Sequence, residues 1–126
     1  MDNRQEQTRN KWLEVLDKYK YDAHTPADDQ IWSPRLECAS RDELTHIQNA
    51  KLSLVTPFLY ENSDFYRRRF DRLGLIPSDI QSTDDLHKWP VIDKREMMED
   101  VEKTPPYGSY STIDEKIWKE RGWMLF

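Results

Sequence analysis

The chain has 126 residues, enough for one compact domain or for part of a larger one. Its net charge of −5 lowers the expectation of a nucleic-acid partner, because proteins that bind nucleic acids usually present a basic surface. No apolar run approaches the roughly 20 residues that cross a bilayer, and a single cysteine, Cys38, cannot form an internal disulfide. Without a recognisable signal peptide, the sequence predicts a soluble, cytoplasmic protein with no membrane partner.

The aromatic content indicates that the chain folds. Five Trp, six Tyr and four Phe accompany a mean hydropathy of −0.97, and disordered chains are poor in aromatic residues. A charged fraction of 34% is nevertheless high for an independent globular domain. We therefore expect a chain that depends on a partner or on further polypeptide.

The first predicted element is an amphipathic helix over residues 3–20. Its apolar residues recur at helical spacing and form one narrow stripe. They are Trp12, Val15, Leu16 and Tyr19. Residues 24–35 then read as a loop, because Pro26 and Pro34 bracket a polar stretch.

A capping box predicts the start of a second, longer helix. The Ser40 hydroxyl can accept from the Glu43 amide while the Glu43 carboxylate reaches back to residue 40. The apolar face that follows consists of Leu44, Ile47, Leu54, Val55 and Phe58. Pro57 lacks an N–H, so we expect it to kink or end this helix.

A third helix is predicted to begin with a cap at residues 62–64 and to end at Gly74, which suits a left-handed position. Its apolar stripe is Tyr66, Phe70 and Leu73. The basic run 67–69 lies within it, with Asp64 and Asp71 at pairing distance along the helix. We interpret that run as a solvated helix face.

The remaining predicted elements are short. Residues 77–80 form a turn, residues 82–85 cap a brief helix that ends before Pro90, and Asp93 caps a helix to about residue 101. Residues 104–111 read as a loop. Residues 123–126, which are all apolar, read as the start of a buried strand that something must cover or continue.

From residue 40 onward, the chain resembles the phenylacetate-CoA ligase-like family of AMP-forming acyl-CoA ligases in the order of its short motifs. The resemblance covers roughly two thirds of the chain. The residues that carry the resemblance are Arg41-Asp42-Glu43-Leu44, Gln48, Leu52, Tyr60, Asn62-Ser63, Phe65-Tyr66-Arg67, Gly74-Leu75, Pro77, Asp79-Ile80, Asp85-Leu86, Trp89-Pro90, Asp93-Lys94 and Pro106-Tyr107-Gly108.

The resemblance implies a mainly α chain, the N-terminal helical part of an α/β large domain, ending in a short strand. It also implies that a carboxylic acid is activated with ATP and transferred to CoA, with Mg²⁺ neutralising the leaving pyrophosphate. Phosphates need a Ser/Thr/Gly-rich loop. The three glycines, Gly74, Gly108 and Gly122, are too far apart to make one. We therefore assign no catalytic, cofactor-binding or metal-binding residue to this chain.

The histidines, the cysteine and the adjacent carboxylates of the sequence are better explained by structural roles than by catalysis or metal binding. The histidines His24, His46 and His87 lack metal-ligand spacing, and we expect Cys38 to be a partly buried small apolar residue. Adjacent carboxylates do not share a helix face, so the pairs 84–85 and 99–100 are better explained by capping and solubility.

Two sets of residues are candidates for contact with other molecules. Tyr107, Gly108 and Tyr110 lie in the loop where a glycine allows close backbone approach and tyrosines offer amphipathic rings, although a structural turn is the simpler interpretation. The candidates for a subunit interface are Trp118, Trp123, Met124, Leu125 and Phe126.

The sequence thus predicts one incomplete domain, with a variable helix and loop over 1–39 and a ligase-like segment over 40–126. We expect a small subunit or N-terminal fragment of an acyl- or aryl-CoA ligase. Its partner would be a larger ligase subunit that carries the phosphate loop and the C-terminal domain. ATP, Mg²⁺ and CoA would then serve the complete enzyme without binding to this chain. The alternative is a stand-alone helical protein–protein interaction module.

Overall fold

A computed structural model describes residues 2–20, 31 and 33–113. Five α-helices and two 3₁₀ helices occupy them, and no strand is present in these ranges. The helices are α1 (Asn3–Lys18), α2 (Pro34–Glu37), α3 (Arg41–Asn62), α4 (Asp64–Leu73) and α5 (Lys94–Lys103), with 3₁₀ turns at Pro77–Asp79 and Thr83–Lys88. The predicted mainly α fold is confirmed, while the predicted strand at 123–126 lies outside the described residues.

Side-chain caps fix where the long helices begin. In α3 the Glu43 amide donates to the Ser40 hydroxyl and Glu43 accepts from the Ser40 amide, as the capping box predicts. Asp2 makes an equivalent box with Gln5 at the start of α1, which the sequence analysis did not identify. These contacts supply partners for amides that a helix start leaves unpaired.

Pro57 does not end α3, which continues to Asn62. A proline inside a helix removes one backbone hydrogen bond, and here the flanking residues Thr56 and Phe58 are buried. Tertiary packing on both sides of the proline therefore holds the helix together.

Helix α1 packs along α3 through its apolar stripe. Val15 and Tyr19 are buried, and the Trp12 ring stacks on Phe58 with centroids 6.3 Å apart. The stripe is narrower than predicted, because Leu16 is exposed on the edge of the contact.

The core at the other side of α3 is built around Phe70. This side chain is fully buried, with the Trp89 ring 4.9 Å and the Tyr60 ring 5.8 Å from its centroid. Gly74 ends α4 at φ 65°, the left-handed conformation expected of it. Leu73, which the helical spacing assigned to the same stripe, is exposed instead.

Thr56 fastens the turn beyond α4 to α3. Its buried hydroxyl lies 3.3 Å from the carbonyl oxygens of both Pro77 and Ile80, and 3.2 Å from that of Leu52. Ile80 is itself fully buried. The buried Thr56 hydroxyl thus helps to position the segment that leads to Trp89.

Candidate functional site

The middle of α4 carries the basic run 67–69, of which Arg68 is exposed and Arg69 points into the protein. Arg69 is buried, with one guanidinium nitrogen donating to Glu96 on α5 and the other to the Pro90 carbonyl oxygen at 2.8 Å. The prediction of a solvated helix face is therefore wrong for Arg69. The anticipated pairing with Asp64 and Asp71 is replaced by contacts to residues 90 and 96, which are distant in sequence.

Glu96 is the centre of a charge cluster between α4 and α5. Its carboxylate accepts from Arg69 and, at 3.2 Å, from Arg72. Burial by itself raises the pKa of this carboxyl group, but the two guanidinium groups favour its charged form, and the net pKa lies below its ordinary value. The two ion pairs of Glu96, with Arg69 and with Arg72, therefore stabilise the α4–α5 contact while Glu96 is ionised.

Asp100 links α5 to the loop that carries the candidate tyrosines. Its side chain is only 6% exposed, and it accepts from the Ser109 amide and hydroxyl at 2.5 Å each and from Arg68 at 3.1 Å. The interpretation of residues 99–100 as solubilising surface is wrong for Asp100. Charge-assisted hydrogen bonds to this buried carboxylate hold the loop against α5.

The close contact between the loop and Asp100 requires a glycine at position 108. Its φ is 71°, and a Cβ atom there would lie 2.6 Å from the Asp100 carboxylate and 2.9 Å from the Tyr110 ring. A larger residue would therefore displace both contacts.

Helix α4 holds the loop from the opposite side. The Phe65 amide donates to the Ser109 carbonyl oxygen at 3.2 Å, and the Ser63 hydroxyl lies within 3.1 Å of the same oxygen. Tyr110 is half-buried and meets Phe65 edge-on, with centroids 6.3 Å apart. Tyr107, by contrast, is 47% exposed. Of the three residues predicted for this loop, Gly108 and Tyr110 shape it and Tyr107 presents an aromatic surface.

A cleft of about 370 Å³ lies beside this loop, between the start of α1 and the end of α3. Tyr107, Asn62 and Gln5 are among its lining residues. Nearby, the Arg9 guanidinium donates to the Asn62 side chain at 3.1 Å and to the Thr112 carbonyl oxygen at 3.0 Å. The loop and the chain that follows it are thus tied to α1, α3 and α4.

The other candidate residues do not form a site in the described part of the chain. Cys38 is exposed at the end of α2, so its predicted burial is wrong. His46 contacts Tyr19, and within the described ranges no three His, Cys, Asp or Glu side chains could share a metal ion. The five predicted interface residues, from Trp118 to Phe126, and His24 lie outside the described residues. None of the described helices has the length and apolar character to cross a membrane.

Comparison with solved structures identifies the fold. The chain superposes on 2-hydroxyisobutyryl-CoA ligase in complex with 2-HIB-AMP and CoA, with a TM-score of 0.69 and 29% identity over 77% of this chain and 21% of that one. A second structure of that ligase, in the postadenylation state, gives a TM-score of 0.71 over 84% of this chain. The helices described above therefore have the fold found in part of an adenylate-forming CoA ligase.

Sequence comparison finds similarity to phenylacetate-CoA ligases. The chain is 32% identical over 82 residues to phenylacetate-coenzyme A ligase of Escherichia coli and 34% identical over 82 residues to that of Aromatoleum evansii. The ligase of Thermus thermophilus is 26% identical over 87 residues. No protein-family model matches the chain. The chain is thus related to the N-terminal part of the phenylacetate-CoA ligase-like proteins, as its motif order indicates, and spans about one fifth of their length.

Proposed function

We propose that this chain forms part of the large domain of an AMP-forming acyl- or aryl-CoA ligase and completes it without supplying the ATP site. The observation that carries the proposal is the match of 65–72% of the chain to only 18–20% of each phenylacetate-CoA ligase. The remaining four fifths of such an enzyme would come from other polypeptide.

Binding of ATP, Mg²⁺ and CoA belongs, in this proposal, to that other polypeptide. A phosphate-binding loop needs several closely spaced small residues, and the glycines of this chain stand at 74, 108 and 122. The contribution of this chain is structural. The contacts from Arg68, Asp100 and Ser63 hold the loop with Tyr107 in one conformation, and the exposed ring can line or support an acyl pocket.

The proposed partner is a larger ligase polypeptide that carries the phosphate loop and the C-terminal domain, in the cytoplasm. The apolar residues Trp118, Trp123, Met124, Leu125 and Phe126 are the proposed contacts with it. An aromatic anchor at an interface can contribute about 2 kcal/mol or more, so we expect Trp123 and Phe126 to matter most.

Co-purification tests this proposal. The tagged chain, expressed in its native source, should co-elute on size exclusion with a polypeptide similar to the downstream part of phenylacetate-CoA ligases. Trp123→Ala should weaken this association, whereas Leu13→Ala, at an exposed position on α1, should leave it unchanged. A chain that stays monomeric and captures no ligase-like polypeptide would instead favour the stand-alone interaction module.

A further inference from the structure

A further cleft, of about 330 Å³, lies between α4 and α5. We name it the α4–α5 cleft. Four of the side chains that line it are basic, namely Arg68, Arg69, Arg72 and Lys103. In a chain with a net charge of −5, the cleft is therefore a local grouping of cationic side chains.

Ion pairs with α5 hold the arginines of the cleft in place. Glu96 accepts from Arg69 and Arg72, and Asp100 accepts from Arg68 at 3.1 Å. Arg69 is buried, and its Nε has no hydrogen-bond partner in the described part of the chain. Arg68 and Arg72 lie one turn apart on α4, and their side chains are 62% and 66% exposed. Each uses one guanidinium nitrogen in its ion pair, so further N–H donors remain available to a ligand.

Lys103 adds an exposed ammonium group at the end of α5. It lies three residues after Asp100, one turn along the same helix, and forms no ion pair within the described residues. The lining also includes Glu99, an exposed carboxylate that is likewise without an ion pair in this part of the chain. Because the other two carboxylates, those of Glu96 and Asp100, already have cationic partners, the charge that a ligand would meet is mainly positive.

We propose that the α4–α5 cleft binds the phosphate group of a small molecule. A phosphate group offers three acceptor oxygens to the three exposed cations, Arg68, Arg72 and Lys103, whereas a carboxylate offers two. The ion pairs fix both arginines before a ligand arrives, which lowers the entropic cost of binding. A volume of about 330 Å³ also falls within the range of about 300–1,000 Å³ that is typical of small-ligand sites. The cleft lies within this chain, so binding requires no ligase-like partner.

Titration of inorganic phosphate into the isotope-labelled chain, followed by NMR at constant ionic strength, tests the cleft. We expect saturable shifts of the amide signals of residues 68–72 and 99–104. Lys103→Gln should weaken phosphate binding about fivefold, because this is the effect of one unit charge at about 4 Å even in water. Since Lys103 is exposed and makes no ion pair within the described residues, its variant should unfold at the same denaturant concentration as the wild type.

Two further variants separate a site from general attraction of anions. Glu99→Gln removes a repulsive charge from the lining and should strengthen phosphate binding about fivefold. Lys11→Gln is the matched control for Lys103→Gln, with the same change at an exposed position on α1 outside the cleft, and should bind phosphate as the wild type does. Shifts that do not saturate, or equal weakening by Lys11→Gln and Lys103→Gln, would overturn the proposal.

Acetate and phenyl phosphate identify the class of ligand. Inorganic phosphate and phenyl phosphate should both bind more tightly than acetate. Tighter binding of phenyl phosphate would point to a phosphate ester as the ligand and equal binding to free phosphate, and both results agree with the proposal. Acetate binding as tightly as inorganic phosphate would overturn the assignment of the cleft to a phosphate group.

Discussion

Replacing Asp100 by Asn should destabilise the chain by about 2 kcal/mol. The carboxylate accepts three hydrogen bonds, from the Ser109 amide and hydroxyl and from Arg68, and a hydrogen bond to a charged group contributes about 1.5–3 kcal/mol. An Asn side chain keeps one acceptor oxygen, so part of the network survives. Removing a buried charge also removes the free-energy cost of desolvating it. The net destabilisation is therefore smaller than the summed free energy of the lost hydrogen bonds, at about 2 kcal/mol.

Urea denaturation followed by tryptophan fluorescence measures this effect on the isolated chain. Glu99→Gln is the matched control, because Glu99 is adjacent and exposed and its side chain makes no hydrogen bond within the described residues. We expect it to change the free energy of unfolding by less than about 0.5 kcal/mol. Equal stabilities of Asp100→Asn and Glu99→Gln would refute the claim that Asp100 fastens the loop.

Three further substitutions test other contacts by the same denaturation. Gly108→Ala should cost more than about 1 kcal/mol, since it adds a clash with Asp100 to an unfavourable φ; an unchanged midpoint would contradict the close approach. Thr56→Val should cost about 1 kcal/mol, because the carbonyl oxygens of residues 77 and 80 lose their buried partner; no loss would show that water replaces the hydroxyl. Glu96 has a lowered pKa in the folded chain, so its contribution is present above its ordinary pKa and disappears as pH falls through the folded value. Wild-type stability should therefore drop more steeply than that of Glu96→Gln as pH falls below 4.5, the ordinary pKa of a glutamate side chain, and parallel curves would contradict this.

The longer helices and several of their ends could be predicted from the sequence because local interactions determine them, whereas the short α2 was not predicted. The Ser40–Glu43 box and the left-handed Gly74 involve residues within a few positions of each other, and both are confirmed. Pro57 shows the limit of such reasoning. Its cost to the helix is local, but the packing that offsets it comes from distant residues.

The contacts that hold the loop at residues 104–111 could not be predicted, because the residues that make them are far apart in the sequence. Arg68 and Asp100 are 32 residues apart, and a polar residue on a helix gives no local sign of facing inward. A periodicity signal exists in retrospect, since Glu96 and Asp100 are four residues apart and both face α4. It becomes informative only once the neighbouring helix is known.

The central claim is that this chain completes a ligase, and ATP–pyrophosphate exchange in the presence of a carboxylic acid tests it most directly. We predict no exchange by the chain alone, little by the ligase-like polypeptide alone, and full exchange when the two are combined. Asp100→Asn, which loosens the loop, should lower the combined rate more than Glu99→Gln does. Exchange at the full rate by the ligase-like polypeptide alone would contradict the account.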